Sequence, residues 1–128
     1  MLQEGQVFAS IPASDYARAR AWYEEKLGLT PSMEMPDGNG LYKCGDGTAF
    51  LLYQTEFAGT GKHTIAGWNV KDLDKEMAEL RARGVTFEEY DMPNLKTVDG
   101  VAEFEGMRSA WFKDSEANVL NIGEMPPI

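Results

Sequence analysis

Histidine and cysteine are scarce in this chain of 128 residues, which contains one of each, His63 and Cys44. A single cysteine excludes an internal disulfide, and a chain without disulfides is typical of a reducing compartment. A single histidine excludes, within one subunit, any metal site that takes two histidines, as many zinc and non-haem iron sites do. Cys44 is expected to be a small buried hydrophobe on a strand rather than a reactive thiol.

Long apolar runs and an excess of positive charge are also missing. No stretch approaches the roughly 20 apolar residues of a membrane-spanning helix, and the start, MLQEGQVF, lacks the basic and apolar regions of a signal peptide. Acidic residues outnumber basic ones by 21 to 12, for a formal net charge of −9. Because phosphate binding needs a basic face, we expect no nucleic-acid partner, and neutral or cationic ligands are favoured. The missing apolar run and signal peptide lead us to expect a cytoplasmic protein with no membrane partner.

The chain contains two similar segments, each running from an apolar strand through a helix to a glycine. In the first, VFASIPA precedes a helix that Ser14 or Asp15 can cap and that Gly28 ends. In the second, IAGWNV precedes a helix that opens at Asp72 and ends before Gly84. The first segment takes one residue more to reach its glycine. This pattern predicts a tandem repeat.

Strand-like runs follow each predicted helix. After the first helix they are TPSMEM, LYKC and TAFLLYQ, divided by the turn signals PDGNG and CGDG. After the second they are VTFEEY, then VAEFEGM or SAWFK, then VLNIG. We therefore predict an α+β fold: one domain over residues 1–128, with two βαβββ modules at about 5–56 and 62–124. The strands would form a curved mixed sheet with both helices on its outer face.

Three segments resemble the vicinal oxygen chelate superfamily, which includes glyoxalase I, bleomycin and fosfomycin resistance proteins and extradiol dioxygenases. They are VFASIPASD with the helix ARAWYEEKLG, AGWNVKD with LRARGV, and WFKDSEANVL, in the order and spacing of that superfamily. The resemblance implies its fold and a homodimer. It leaves the activity open, because the superfamily carries unrelated chemistries on one scaffold.

The resemblance also indicates where metal ligands would stand, on the first and last strand of each module. Seven residues before each helix-capping acid, where histidines are usual, this chain has Phe8 and Ile65. Asn121 takes the place of the usual glutamate, and the fourth position falls within residues 50–52, which are all apolar. We therefore expect no metal at these positions and no cofactor.

The same positions predict an apolar cavity with a few hydrogen-bonding groups, which suits a small organic ligand. Gly67 would leave room for close approach, and His63 would share a strand face with Ile65, unless it is simply solvated at the start of the strand. Either Trp111 or Phe112 must face the cavity, where an aromatic ring can stack on a flat or cationic ligand. The predicted ligand-binding residues are Phe8, Ser10, Leu52, His63, Ile65, Gly67, Trp111 and Asn121.

The long connection from Met92 to Met107 is either a lid over this cavity or an ordinary hairpin loop. No catalytic residue can be assigned from the sequence. The first functional hypothesis is a metal-free binding protein for an apolar or cationic aromatic molecule. The alternative is a glyoxalase-like lyase or dioxygenase-type enzyme with a non-standard metal site, in which oxygen ligands such as Glu103 or Glu105 would join His63. A third is a stable fold whose activity lies with a partner.

Overall fold

The computed structural model describes residues 1–126, in which two four-stranded sheets have the same strand order. Module 1 contains β1 (Ala9–Ala13), α1 (Tyr16–Trp22), β2 (Met33–Glu34), β3 (Gly40–Lys43) and β4 (Ala49–Gln54). Module 2 contains β5 (Thr64–Asn69), α2 (Leu73–Ala82), β6 (Asp91–Met92), β7 (Leu95–Lys96), β8 (Ala102–Phe104), β9 (Met107–Lys113) and β10 (Val119–Glu124). The sheet orders are β1-β4-β3-β2 and β5-β10-β9-β8. The first two strands of each sheet are parallel, and the predicted α+β tandem fold is confirmed.

The two helices begin in the same way. Asp15 and Asp72 are both extended N-caps, with φ of −137° and −138°. Each carboxylate accepts a hydrogen bond from the backbone N–H three residues later, Arg18 and Lys75 respectively, at 3.1 Å. These bonds satisfy donors that the first turn of a helix leaves free.

The helices end differently. α1 continues into a π-helical turn, Tyr23–Leu27, before Gly28 ends it in the left-handed conformation with φ of 69°. A π turn accommodates one inserted residue, which accounts for the extra residue in the first repeat. It also places Tyr23 in the core, fully buried.

Both helices pack on one face of the strands, and alternate strand residues point into a shared core. On β4, Phe50 and Leu52 are buried in that core, whereas Leu51 between them points to the opposite face. Leu52 therefore belongs beneath the helices and does not line the face opposite them. The predicted ligand-binding role of Leu52 is corrected accordingly: Leu51, not Leu52, lies on the face opposite the helices.

The free edges of the two sheets, β1 and β5, lie next to each other without pairing, along a line that we call the seam. Aromatic contacts cross from one module to the other beneath it. Phe50 meets Trp68 edge to face at 5.8 Å between ring centroids, and Trp22 stacks on Phe112 at 6.5 Å. Both tryptophans, Trp22 and Trp68, are partly buried and pack against the core.

The edge strand of module 2 is split. Phe87 forms an isolated bridge with Phe112, and β8 pairs with β9 further along the same edge. Residues 89–101, including the small hairpin of β6 and β7, lie between these two pieces. The predicted strand VTFEEY is therefore only a single bridge, whereas VAEFEGM and SAWFK both supply strands. Within residues 1–126, no helix has the length and apolarity that crossing a membrane requires.

Candidate functional site

The face opposite the helices, called here the open face, is apolar in module 1. One row of paired residues crosses all four strands: Ser10 on β1, Leu51 on β4, Leu41 on β3 and Met33 on β2. Ser10 supplies the only hydroxyl in this row. Phe8 precedes β1 and is 54% exposed.

The corresponding row in module 2 is Gly67, Asn121 and Trp111. A Cβ atom on Gly67 would lie 3.0 Å from Asn121 Oδ1, so a larger residue would press on the Asn121 side chain. Asn121 Nδ2 donates to the carbonyl of Ala110 at 3.2 Å. The Asn121 side chain thus occupies the room that a side chain at residue 67 would need, so this room is not free for a ligand.

Trp111, not Phe112, faces the open side. Its indole N–H reaches across β10 and donates to Thr64 Oγ1 at 3.0 Å. Tyr90, from the segment that interrupts the edge strand, meets the Trp111 ring edge to face at 5.8 Å. Trp111 is therefore held from two sides.

A β-bulge changes the pattern expected for β5. Thr64 pairs with Val119 and Ala66 with Leu120, which leaves Ile65 as the extra residue. The regular alternation that would place His63, Ile65 and Gly67 in one row is therefore broken. His63 and Ile65 line one cavity and Gly67 lines another.

The smaller cavity, of about 390 Å³, lies at the end of the seam where β5 begins. Its walls include Ser10, Tyr53, Phe57, His63 and Ile65. Three predicted ligand-binding residues, Ser10, His63 and Ile65, meet here. Phe57 was not among the predicted residues, because a phenylalanine in a polar linker carries no periodic signal.

The larger cleft, of about 950 Å³, lies at the opposite end of the seam. Gly67 is the only predicted ligand-binding residue that lines it. Its apolar wall consists of Phe50, Trp68, Val70, Met107 and Met125. Three carboxylates, Asp46, Glu105 and Glu124, and one cation, Lys71, also line it.

Sequence reasoning missed this cleft because its lining comes from both modules. The available signal was a pair of tight acidic turns, GDG and EGM, which carry Asp46 and Glu105. Phe8, Trp111 and Asn121 line neither cavity.

The residues at the positions implied for a metal do not fit a divalent cation. Phe8, Ile65 and Leu51 are hydrocarbons, and Asn121 offers a neutral amide. Across residues 1–126, no three His, Cys, Asp or Glu side chains are grouped so that they could hold a metal ion. No reaction step through a metal follows from this arrangement.

A buried carboxylate joins the modules at the seam. The side chain of Glu116, in the turn before β10, is fully buried and accepts hydrogen bonds from Arg18, Ser115, Ser14 and the backbone N–H of Asp15. Burial alone would raise the pKa of this carboxyl, but these bonds, with Arg18 first, outweigh it and lower the pKa to about 2. Glu116 of module 2 thus holds the start of α1 in module 1.

Asp114 makes a second connection across the seam. The buried hydroxyl of Tyr23 donates to Asp114 Oδ2 at 2.7 Å. Asn118 Nδ2 donates both to the same oxygen, at 2.9 Å, and to the carbonyl of Pro12 in β1, at 2.7 Å. Burial and the nearby Asp114 charge raise the pKa of Tyr23 well above its ordinary value. Asp114 and Asn118 thus join the two modules at the end of the seam that holds the smaller cavity.

The family model described as Glyoxalase/Bleomycin resistance protein/Dioxygenase superfamily matches residues 5–94. A solved glyoxalase/bleomycin resistance protein from Catenulispora acidiphila DSM 44928 is 25% identical, with a TM-score of 0.67 over 94% of this chain and 98% of that one. TnmS3, an antibiotic binding protein from Streptomyces sp. CB03234, is 21% identical, with a TM-score of 0.63 over 93% of both chains.

A lactoylglutathione lyase from Agrobacterium tumefaciens has the same fold. It is 19% identical, with a TM-score of 0.66 over 94% of this chain and 93% of that one. None of the curated proteins matches the chain by sequence.

Proposed function

The chain belongs to the glyoxalase/bleomycin resistance protein/dioxygenase superfamily, and we propose that it is a small-molecule binding protein. Because members of that superfamily differ in chemistry, the proposal rests on the cavities of this chain. In this proposal it holds an apolar or cationic aromatic ligand without a metal ion. The ligand lies in the larger cleft at the end of the seam.

The observation that carries this proposal is the composition of that cleft. Its volume of about 950 Å³ falls within the range of small-molecule sites, roughly 300–1,000 Å³. Aromatic and thioether side chains form its apolar wall, and three carboxylates face one lysine. Arg108 forms an ion pair with Glu124 at 3.1 Å, whereas Asp46 and Glu105 form none among residues 1–126. A ligand with a flat apolar body and a positive charge matches both features.

Trp68 connects this chemistry to a measurable signal. Its ring lines the cleft and packs edge to face on Phe50, so it is partly buried and fixed in orientation. An indole is the most favourable aromatic partner for a cation, and such contacts contribute roughly 0.5–2 kcal/mol. A bound aromatic cation is therefore expected to quench Trp68 fluorescence.

The relatives support the fold more than the ligand. TnmS3 binds an antibiotic on this fold, but 21% identity transfers no ligand to this chain. The enzyme alternative needs a non-standard metal site in which oxygen ligands such as Glu103 or Glu105 join His63, but among residues 1–126 no three His, Cys, Asp or Glu side chains are grouped to hold a metal ion. Retention of about one zinc, nickel, manganese or iron(II) ion per chain after incubation and desalting would contradict the metal-free proposal.

Three probes that differ mainly in charge test the proposal: N-methylquinolinium, quinoline and quinoline-4-carboxylate, each titrated against tryptophan fluorescence at pH 8. We expect the cation to bind most tightly and the anion most weakly. Glu105→Gln should weaken binding of the cation several-fold and leave quinoline unchanged, because only the charge is removed. The matched control is Glu103→Gln, which lies two residues away and outside the cleft.

Two results would contradict the proposal. One is equal affinity for the three probes. The other is quenching that persists in full in Trp68→Phe, because it would place the ligand elsewhere.

A further inference from the structure

The smaller cavity differs in chemistry from the larger cleft. No Asp, Glu, Lys or Arg side chain lines it. His63 supplies the one imidazole in its lining. Its ring is positioned by Gly61, because a Cβ atom at that residue would lie 2.6 Å from His63 Cε1. A ligand there meets a local environment without fixed negative charge, although the chain as a whole is acidic.

The polar groups of this cavity divide into occupied acceptors and available donors. Asn118 uses its amide hydrogens on Pro12 and Asp114, and its Oδ1 accepts from the backbone N–H of Gly59 at 3.3 Å. Thr64 Oγ1 accepts the indole N–H of Trp111, which leaves the Thr64 hydroxyl hydrogen free to donate. The amide of Asn118 is therefore fully used within the protein, whereas the Thr64 hydroxyl hydrogen is available.

Three further donors, the side chains of Ser10, Tyr53 and His63, line the cavity without a hydrogen-bond partner among residues 1–126. Together with Thr64, they present hydroxyl and imidazole N–H groups to the same space. Such a set complements a carboxylate, which only accepts hydrogen bonds.

The remaining walls are apolar and partly aromatic. Phe57 is 67% exposed, although it lies in the linker between the modules, where no core demands a phenyl ring. Tyr53, Pro12 and Ile65 line the same cavity, whose volume of about 390 Å³ suits a single ring. An exposed aromatic side chain next to a donor-rich cavity can cover the flat face of an aromatic ligand.

We propose that this cavity is a second ligand site, separate from the larger cleft, and that it binds a single-ring aromatic carboxylate. The carboxylate accepts hydrogen bonds from Ser10, Thr64 and His63, and the ring packs against Phe57. The proposal does not depend on the function proposed for the larger cleft.

The test is a titration with benzoate, benzamide and benzylamine, followed by two-dimensional NMR of the ¹⁵N-labelled protein. The indole N–H of Trp111 is the reporter, because its acceptor Thr64 lines the cavity. We expect benzoate to shift the Trp111 indole and the Ser10 and Thr64 amide signals, and to bind more tightly than benzamide or benzylamine. His63→Gln should weaken benzoate binding by at least about ten-fold, as expected for a hydrogen bond to a charged group.

Lys62→Gln is the matched control, because Lys62 is exposed and adjacent in sequence but does not line the cavity. It should change benzoate affinity much less than His63→Gln. An equal loss in both variants would overturn the role of His63, because it would reflect overall charge alone.

Ser10→Ala provides a second variant that leaves the fold intact, since Ser10 is exposed. Tighter binding of benzylamine than of benzoate at this cavity, read from the Trp111 indole and the Ser10 and Thr64 amides, would overturn the proposal. Shifts confined to residues of the larger cleft, or no shift with benzoate, would also overturn it. The larger cleft is titrated with its own probes and variants, so the two proposals fail separately.

Discussion

The turns that join the last two strands of each module share a closing hydrogen bond and a left-handed fourth residue, but they lie in different surroundings. Only the turn of module 1 is also left-handed at its third residue, Asp46 with φ of 53°. In module 1, the N–H of Cys44 donates to the carbonyl of Thr48 at 2.9 Å; in module 2, the N–H of Asp114 donates to that of Asn118 at 3.1 Å. The fourth residue of each turn is left-handed: Gly47 with φ of 76° and Ala117 with φ of 66°. The repeat is thus preserved at the level of single hydrogen bonds.

The surroundings of the two turns separate their roles. The turn of module 1 is mostly exposed, and its acid, Asp46, lines the larger cleft. In module 2, the corresponding acid, Glu116, is buried and bound across the seam to Arg18. The comparison teaches that one backbone design can present a carboxylate to a ligand or use it to join two modules, depending on what packs against it.

Removing the buried acid should produce the largest effect. Glu116→Gln replaces a carboxylate, which only accepts hydrogen bonds, with an amide whose two N–H groups would face donors that now bind the carboxylate. It also leaves Arg18 without its ion-pair partner. We expect the free energy of unfolding in urea to fall by about 3 kcal/mol. Asp46→Asn, the same change in the other turn, should cost less than about 0.5 kcal/mol. Similar losses in both variants would show that the two turns do not differ as described.

The pH dependence of stability should come next in size. The pKa of Glu116 is lowered from 4.5 to about 2 in the folded chain, so its contribution is complete above pH 4.5 and is lost as the pH falls towards 2. Linkage predicts that about 2 kcal/mol of this contribution is lost by pH 3. Glu116→Gln should lack this component, so its urea stability should fall less than that of the wild type between pH 6 and pH 3. Equal losses in both proteins would contradict the assignment.

Two buried tyrosines of module 1 sharpen the comparison between contacts across the seam and contacts within a module. Tyr23→Phe removes the donor to Asp114 and should destabilise by about 2 kcal/mol, since a buried carboxylate loses a hydrogen bond. Tyr42 is equally buried, but its hydroxyl has no hydrogen-bond partner among residues 1–126. Tyr42→Phe should therefore be neutral or stabilising by thermal unfolding. A loss in Tyr42→Phe as large as in Tyr23→Phe would remove the distinction.

Exchanging the left-handed residues of the two turns should produce the smallest effects. Gly47→Ala meets no atom within 4 Å, so its expected cost of about 1 kcal/mol is backbone strain alone. Ala117→Gly should stabilise by less than about 1 kcal/mol, because relief of strain is partly offset by the greater freedom of glycine in the unfolded chain. Opposite signs in calorimetry would confirm that both turns need a left-handed fourth residue, whereas equal signs would contradict it.

Features set by local chemistry could be predicted from the sequence. The N-caps at Asp15 and Asp72, the glycine after the first helix and the tandem repeat all depend on residues close in the chain. The extra residue of the first repeat was visible as a count, but not as the π turn that contains it. Its form depends on burial of Tyr23 against Asp114, 91 residues away.

The candidate sites were harder to predict, because they depend on register. A single bulge at Ile65 divides residues expected in one row between two cavities. The choice among Phe50, Leu51 and Leu52 required knowing which face the helices cover. The larger cleft is lined by turns from both modules, and the periodicity of one segment cannot predict which other segment it will contact.

The hydrogen bond from Ser14 to Glu116 joins residues 102 positions apart. During synthesis, α1 leaves the ribosome long before the carboxylate that holds its first turn has been made. A nascent first module therefore lacks its anchor until most of the chain has been translated. Closing so long a loop is slow compared with forming local structure, so the two modules are expected to reach their final arrangement together, at the end of translation.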